Sequence, residues 1–152
     1  MEDDRSVVAR QIRREPRAFR CVVVRCPFGR PAVTEQTPFD NAGAPFPTTY
    51  WLTCPHAVAQ VSRLEAAGGV ERWSNAVQED PGLAASLERA NAQQRELRPE
   101  SDLGIGGAHA DAAGLKCLHA HVAFALARPG YELGERILTE AEPLFPAKCC
   151  TA

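Results

Sequence analysis

The chain has 152 residues, of which 45% are hydrophobic and 24% are charged, a composition that predicts one globular domain over residues 1–152. Its 17 basic and 19 acidic residues give a formal net charge of -2, so the overall charge provides no field that would attract nucleic acid or an anionic membrane. Since no apolar run approaches the roughly 20 residues that span a bilayer and the first residues contain no apolar core of a secretion signal, we expect a cytoplasmic protein without membrane or nucleic-acid partners.

The first half of the chain predicts a short helix and then a small antiparallel sheet. Apolar residues at helical spacing indicate a first helix over residues 3–14. A β-branched run at 19–25 and an alternating run at 30–36 flank a tight CPFG turn and predict a hairpin. A loop rich in proline then covers residues 37–49, and YWLTC at 50–54 predicts the third strand.

The second half of the chain predicts helices. Proline suits the first helical position, and Pro55 is followed by apolar residues at helical spacing until two successive glycines. The predicted helices lie at 55–67, 70–78, 81–97, 116–127 and 134–142. Because strands come first and helices later, the fold class is α+β, with a small antiparallel sheet from the N-terminal half packed against several helices of the C-terminal half. In the third of these helices, Leu83, Leu87 and Ala90 form the predicted buried stripe.

Six cysteines are the most informative residues of this composition. In a chain without a secretion signal, they predict reduced thiols or metal ligands, not a disulfide framework. Cys26 lies in the CPFG turn, a tight turn that resembles half of a zinc knuckle. Cys54 ends a strand and opens a helix, where backbone N–H groups and the helix dipole favour a thiolate. Cys21 lies within an apolar strand and is predicted to fill the core.

The segment KCLHAH adds a third cysteine and two histidines. Cys117 and His121 are four positions apart and share one face of a helix, whereas His119 joins Cys117 only if Cys117 precedes the regular helix. Together with Cys26 and Cys54, these residues predict a set of three cysteines and one histidine. Such a set suits tetrahedral zinc and, as an alternative, an iron–sulfur cluster.

Four separated blocks resemble a known family. They read RCPFGRPAVTE (25–35), PFPTTYWLTCP with SRLEAAGGV (45–70), GIGG (104–107) and KCLHAH (116–121). They resemble the bacterial family known as domain of unknown function 501, and the resemblance spans almost the whole chain. It implies a shared fold and a common cysteine/histidine set, to which His119 belongs more firmly than His121, and it implies no substrate. The segment PGYELG departs from the family pattern, which has Asn-Pro before a glycine.

Three classes of function follow from these residues. In the first, the metal is a structural zinc with four protein ligands in a small regulatory or partner-binding domain. In the second, the protein is a zinc-dependent hydrolase with an open coordination position, and Glu35 or the spare histidine is the base. In the third, it is a metal-free enzyme whose nucleophile Cys54 is activated by His119 or His121.

The partner of the chain is predicted to be an unidentified protein or a small anionic ligand. A glycine-rich GIGG segment before a helix can surround an anion with N–H groups, although it is also an ordinary turn. Guanidinium groups suit phosphate or carboxylate, although a solvated, salt-bridged surface is the more common explanation for such arginines. The arginines concerned are Arg25, Arg30 and Arg63, and the candidate bases are Glu35, Glu65 and Asp40.

Overall fold

The structure is a computed structural model, and it describes residues 2–109 and 114–150. Its elements, in chain order, are α1 (Asp4–Ile12), β1 (Phe19–Arg25), β2 (Pro31–Gln36), β3 (Tyr50–Leu52), α2 (Pro55–Ala66), α3 (Gly69–Glu79), α4 (Pro81–Leu97), a short 3-10 turn (Ile105–Gly107), α5 (His119–Ala127) and α6 (Glu132–Glu140). The predicted α+β fold class is confirmed. Within the described ranges, no helix has the length and apolar character needed to cross a membrane.

The sheet consists of three antiparallel strands in the order β1-β2-β3. The hairpin of β1 and β2 pairs Phe19 with Gln36 at one end and Arg25 with Pro31 at the other. The N–H of Cys26 donates to the carbonyl of Arg30 at 2.8 Å and closes the predicted CPFG turn. Because β2 lies between two strands, most of its residues are buried.

The prediction that Cys21 fills the core is wrong, because its side chain is exposed. β1 is an outer strand of the sheet, and its register against β2 shifts between Phe19 and Cys21 and again between Val22 and Val24. Val23 of the same strand is also 39% exposed. The continuous β-branched run therefore reflects strand propensity at a sheet edge and not burial on both faces.

Helix α5 lies at the centre of the core, in contact with β3 and α6. The ring of Phe124 is 1% exposed and makes edge-on contacts with the rings of Tyr50 at 5.5 Å and Tyr131 at 5.8 Å. Aromatic pairs in this geometry add to the stabilisation that comes from burial alone. These contacts hold α5, and with it the KCLHAH segment, between the sheet and the last helix.

Helix α4 begins where its sequence predicts. The carboxylate of Asp80 accepts a hydrogen bond from the N–H of Gly82 at 2.9 Å, and a proline occupies the first turn. The predicted buried stripe is confirmed, since Leu83 and Ala90 are buried and Leu87 is partly buried against the core.

The three arginines considered for anion binding fit the salt-bridged alternative better. Arg25 pairs with Asp4 at 2.7 Å, and Arg30 lies 3.6 Å from Glu2. The guanidinium of Arg63 donates to a glutamine of its own helix. Each of these three guanidinium groups therefore has a partner within the protein.

Candidate functional site

The five residues predicted as metal ligands lie in separate environments. Cys26 is buried in the β1–β2 turn, and Cys54 is buried at the N-cap of α2. Cys117 precedes α5, as the choice of His119 required, and His119 is the first residue of that helix, with His121 buried two positions further on. Within residues 2–109 and 114–150, no three or more His, Cys, Asp or Glu side chains are grouped so that they could hold a metal ion. The structure therefore does not bring the predicted set together, and zinc and the iron–sulfur cluster stay predictions.

Cys54 has another thiol as its neighbour. Its Sγ lies 3.7 Å from the Sγ of Cys150, near the C-terminus. Burial raises the pKa of the Cys54 thiol to about 11, although backbone N–H groups in the first turn of α2 point at the sulfur and oppose this shift. The expectation that the helix start makes Cys54 a thiolate is therefore wrong, because desolvation outweighs the N–H groups. Neither His119 nor His121 hydrogen-bonds to this sulfur, and the metal-free cysteine enzyme stays a prediction.

His121 is part of the core. Its ring is 2% exposed, and its Nδ1 lies 2.7 Å from the hydroxyl of Tyr131, the N-cap residue of α6. Burial lowers the pKa of His121 to about 4, so the ring is neutral at pH 7. Burial also raises the pKa of Tyr131 above its ordinary value. The two side chains form a buried hydrogen bond that ties α5 to α6.

His119 is held by three groups of helix α2. Its Nδ1 lies 3.1 Å from Oε2 of Glu65, and its Nε2 lies 3.1 Å from Oγ of Ser62 and 3.2 Å from the carbonyl oxygen of Val58. Positions 58, 62 and 65 are spaced by four and three residues, so they share one face of α2. Because a carboxylate only accepts hydrogen bonds, Nδ1 carries a proton and donates it to Glu65. The other ring nitrogen, Nε2, faces Ser62 and Val58.

Glu65 also holds the start of α5. Its Oε2 accepts a hydrogen bond from the N–H of Leu118 at 2.7 Å, and α5 has no capping side chain of its own. A negative charge at a helix N-terminus is favourable, so this carboxylate from α2 replaces the missing cap. Burial raises the pKa of the adjacent Cys117 thiol, and the charge of Glu65 raises it further. Sequence reasoning identified Glu65 only as one of three candidate bases, and the signal that could have singled it out is its place in the SRLEAAGGV block.

A cavity of about 450 Å³ opens beside His119, between the end of α1, strand β3 and the first turns of α2. Gln11, Arg13, Trp51 and Thr53 also line it. Two of the lining residues each have one buried polar atom without a hydrogen-bond partner within the described residues, Gln11 Oε1 and Thr53 Oγ1. Because these two atoms have almost no accessible surface, they lie behind the cavity wall and not on it.

These features define an α+β protein with a histidine-lined cavity of small-molecule size. A family model described as "Protein of unknown function (DUF501)" matches residues 22–139, and the chain belongs to this family. The matched region contains His119, Glu65, Trp51 and Thr53, whereas the part of the cavity contributed by α1 precedes it. No curated protein and no solved structure matches the chain.

Proposed function

We propose that the protein is an enzyme that binds a small molecule in the cavity beside α2 and uses His119 as its general acid and base. The observation that carries this proposal is the set of contacts of His119, with Glu65 at Nδ1 and with Ser62 and Val58 at Nε2. Imidazole is the side chain that most often transfers protons in enzymes, and a carboxylate at Nδ1 fixes the tautomer and the orientation of the ring. Glu65 is thus the positioning residue for His119.

Both protonation states of His119 have a partner at Nε2. In the neutral ring, with the proton on Nδ1, Nε2 accepts a hydrogen bond from the hydroxyl of Ser62. In the protonated ring, Nε2 donates to the carbonyl oxygen of Val58, while Nδ1 donates to Glu65. A ring that is satisfied in both states gains and loses a proton without leaving a polar atom unpaired. This is the property that a group needs when it alternates between acid and base.

The surroundings of His119 also suit catalysis. Its side chain is 25% exposed and that of Glu65 is 26% exposed, so a ligand can reach the ring while two helices hold it. Ligand cavities bury most of a small molecule and orient it with a few polar groups. The exposed side chain of Arg13 is such a group on the wall of this cavity.

A second candidate function is ester hydrolysis with Ser62 as the nucleophile. The 3.1 Å contact between Ser62 Oγ and His119 Nε2, with Glu65 at Nδ1, has the same sequence of contacts as a Ser-His-acid triad. In this reaction His119 takes the hydroxyl proton while Oγ bonds to the carbonyl carbon, and it returns the proton to the departing alcohol. Water then cleaves the acyl–serine ester and restores the hydroxyl.

The test is turnover of a small-molecule mixture. The purified protein is incubated with a metabolite extract, and consumed and formed compounds are identified by mass spectrometry. We expect at least one compound to be converted, and we expect His119→Gln to slow its conversion by about 100-fold or more, since general acid–base catalysis contributes about 10²–10⁴ in rate.

Two further variants complete this test. Ser62→Ala retains turnover if His119 acts on the ligand directly and abolishes turnover if Ser62 is the nucleophile. Circular dichroism shows whether each variant is folded. Conversion at an unchanged rate by a folded His119→Gln variant would contradict the proposal.

A further inference from the structure

We infer that the ligand of the cavity is a small organic anion, a carboxylate or a phosphate monoester. Arg13 binds its charged group. The inference deepens the proposed function and rests on it in one respect, since it takes this cavity to be the active site.

The charge of the cavity wall is the first argument. Among the described residues that line it, the ionisable side chains are Arg13 and His119, and no carboxylate is among them. Glu65 contacts His119 but does not line the cavity. A concave site whose ionisable groups are all cationic or neutral favours an anionic ligand.

The second argument is that Arg13 has a free guanidinium. Two other arginines of the first 25 residues are paired with carboxylates: Arg5 lies 3.5 Å from Glu15, and Arg25 lies 2.7 Å from Asp4. Arg13 has no ion pair and no side-chain hydrogen bond within the described part of the chain. It is the C-cap of α1, with a left-handed backbone (φ 58°), and its exposed side chain lines the cavity. A guanidinium binds carboxylate and phosphate oxygens through two parallel hydrogen bonds.

Three probes test this class: glycerol 3-phosphate, glycerate and glycerol, which carry a phosphate ester, a carboxylate and no charge, respectively. Each is titrated into ¹⁵N-labelled full-length protein, and the indole N–H signal of Trp51, a cavity residue, is followed by NMR. A Trp73→Phe variant assigns that signal, because the chain has 2 tryptophans. We expect a saturable shift with at least one anion and no shift with glycerol. The two anions distinguish a phosphate ester from a carboxylate.

Two arginine variants make the test specific. Arg13→Gln should raise the Kd of the bound anion about ten-fold, as expected for the loss of one charge-assisted contact. Arg17→Gln is the matched control, because Arg17 lines a separate surface cavity that also includes Trp51, and it should leave the Kd unchanged. The inference is overturned if neither anion shifts the signal, if glycerol binds equally well, or if both variants weaken binding to the same extent.

The two proposals fail in different ways. Anion binding that depends on Arg13, in a protein whose turnover is unaffected by His119→Gln, would retain the ligand class and contradict the acid–base function. Turnover of a neutral compound that depends on His119, without anion binding, would retain the function and contradict the ligand class.

Discussion

Replacement of Gly134 by alanine tests how α6 packs against α5, the helix that begins with His119. A Cβ atom at Gly134 would lie 2.7 Å from the carbonyl oxygen of His121, 2.7 Å from Cδ2 of Tyr131 and 2.8 Å from Cβ of Ala125. Carbon atoms do not approach these groups so closely without repulsion. The carbonyl belongs to the backbone of α5 and cannot rotate away, so Gly134→Ala should push α6 away from α5.

The expected loss of stability follows from opposing terms. Alanine in place of glycine within a helix stabilises it by up to about 1 kcal/mol. Overpacking costs about 1–3 kcal/mol, and disturbance of the buried His121–Tyr131 hydrogen bond adds about 1 kcal/mol. We therefore expect the free energy of unfolding to fall by about 2 kcal/mol, with a decrease in Tm of about 4–8 °C for a chain of this size.

Urea unfolding followed by circular dichroism measures this change. Gly82→Ala is the control, because a Cβ atom there meets only Oδ1 of Asp80, at 3.2 Å. The control should stay within about 1 kcal/mol of the parent protein. A Gly134→Ala variant as stable as the parent would refute the close contact between α5 and α6.

Three other predictions concern single side chains. Burial lowers the pKa of His121 from 6.5 to about 4, so between these pH values the unfolded chain binds a proton that the folded chain does not. The free energy of unfolding should therefore fall as the pH decreases from 6.5 toward 4, by up to about 3 kcal/mol. Urea unfolding of His121→Gln should lack this contribution. Because burial raises the pKa of Cys54 to about 11, iodoacetamide near neutral pH should label Cys54 much more slowly in the folded protein than after denaturation, and rapid labelling of the folded protein would show that its thiol is accessible. The Cys/His hypothesis predicts one zinc per chain in protein purified without added metal, and the loss of that zinc in Cys117→Ala; protein that contains no stoichiometric zinc would contradict it.

Local signals in the sequence predicted most of the fold. The β-branched run, the CPFG turn and the alternating run predicted the hairpin, because each depends on neighbouring residues alone. Asp80 and Pro81 likewise marked the start of α4. The sequence also allowed Cys117 to precede the regular helix, and α5 does begin at His119.

The site was less predictable, because it depends on how α2 packs against α5. Glu65 and His119 are 54 positions apart, and no spacing rule relates them. Helical periodicity grouped His121 with Cys117, but α5 is buried on most sides, so a histidine within it faces the core instead of a site. The sequence likewise showed that Cys54 opens a helix, while the desolvation that raises its pKa comes from the folded surroundings.

The most direct test of the central claim is a double-mutant cycle in kcat/KM, measured with the compound that the turnover experiment identifies. If Glu65 acts by positioning His119, then His119→Gln should lower kcat/KM by about 100-fold or more and Glu65→Gln by less, and the double variant should be no slower than His119→Gln alone. Gln at position 65 keeps an oxygen that can accept the Leu118 N–H, so the start of α5 is preserved. An unchanged kcat/KM in folded His119→Gln, or losses that multiply in the double variant, would contradict the account.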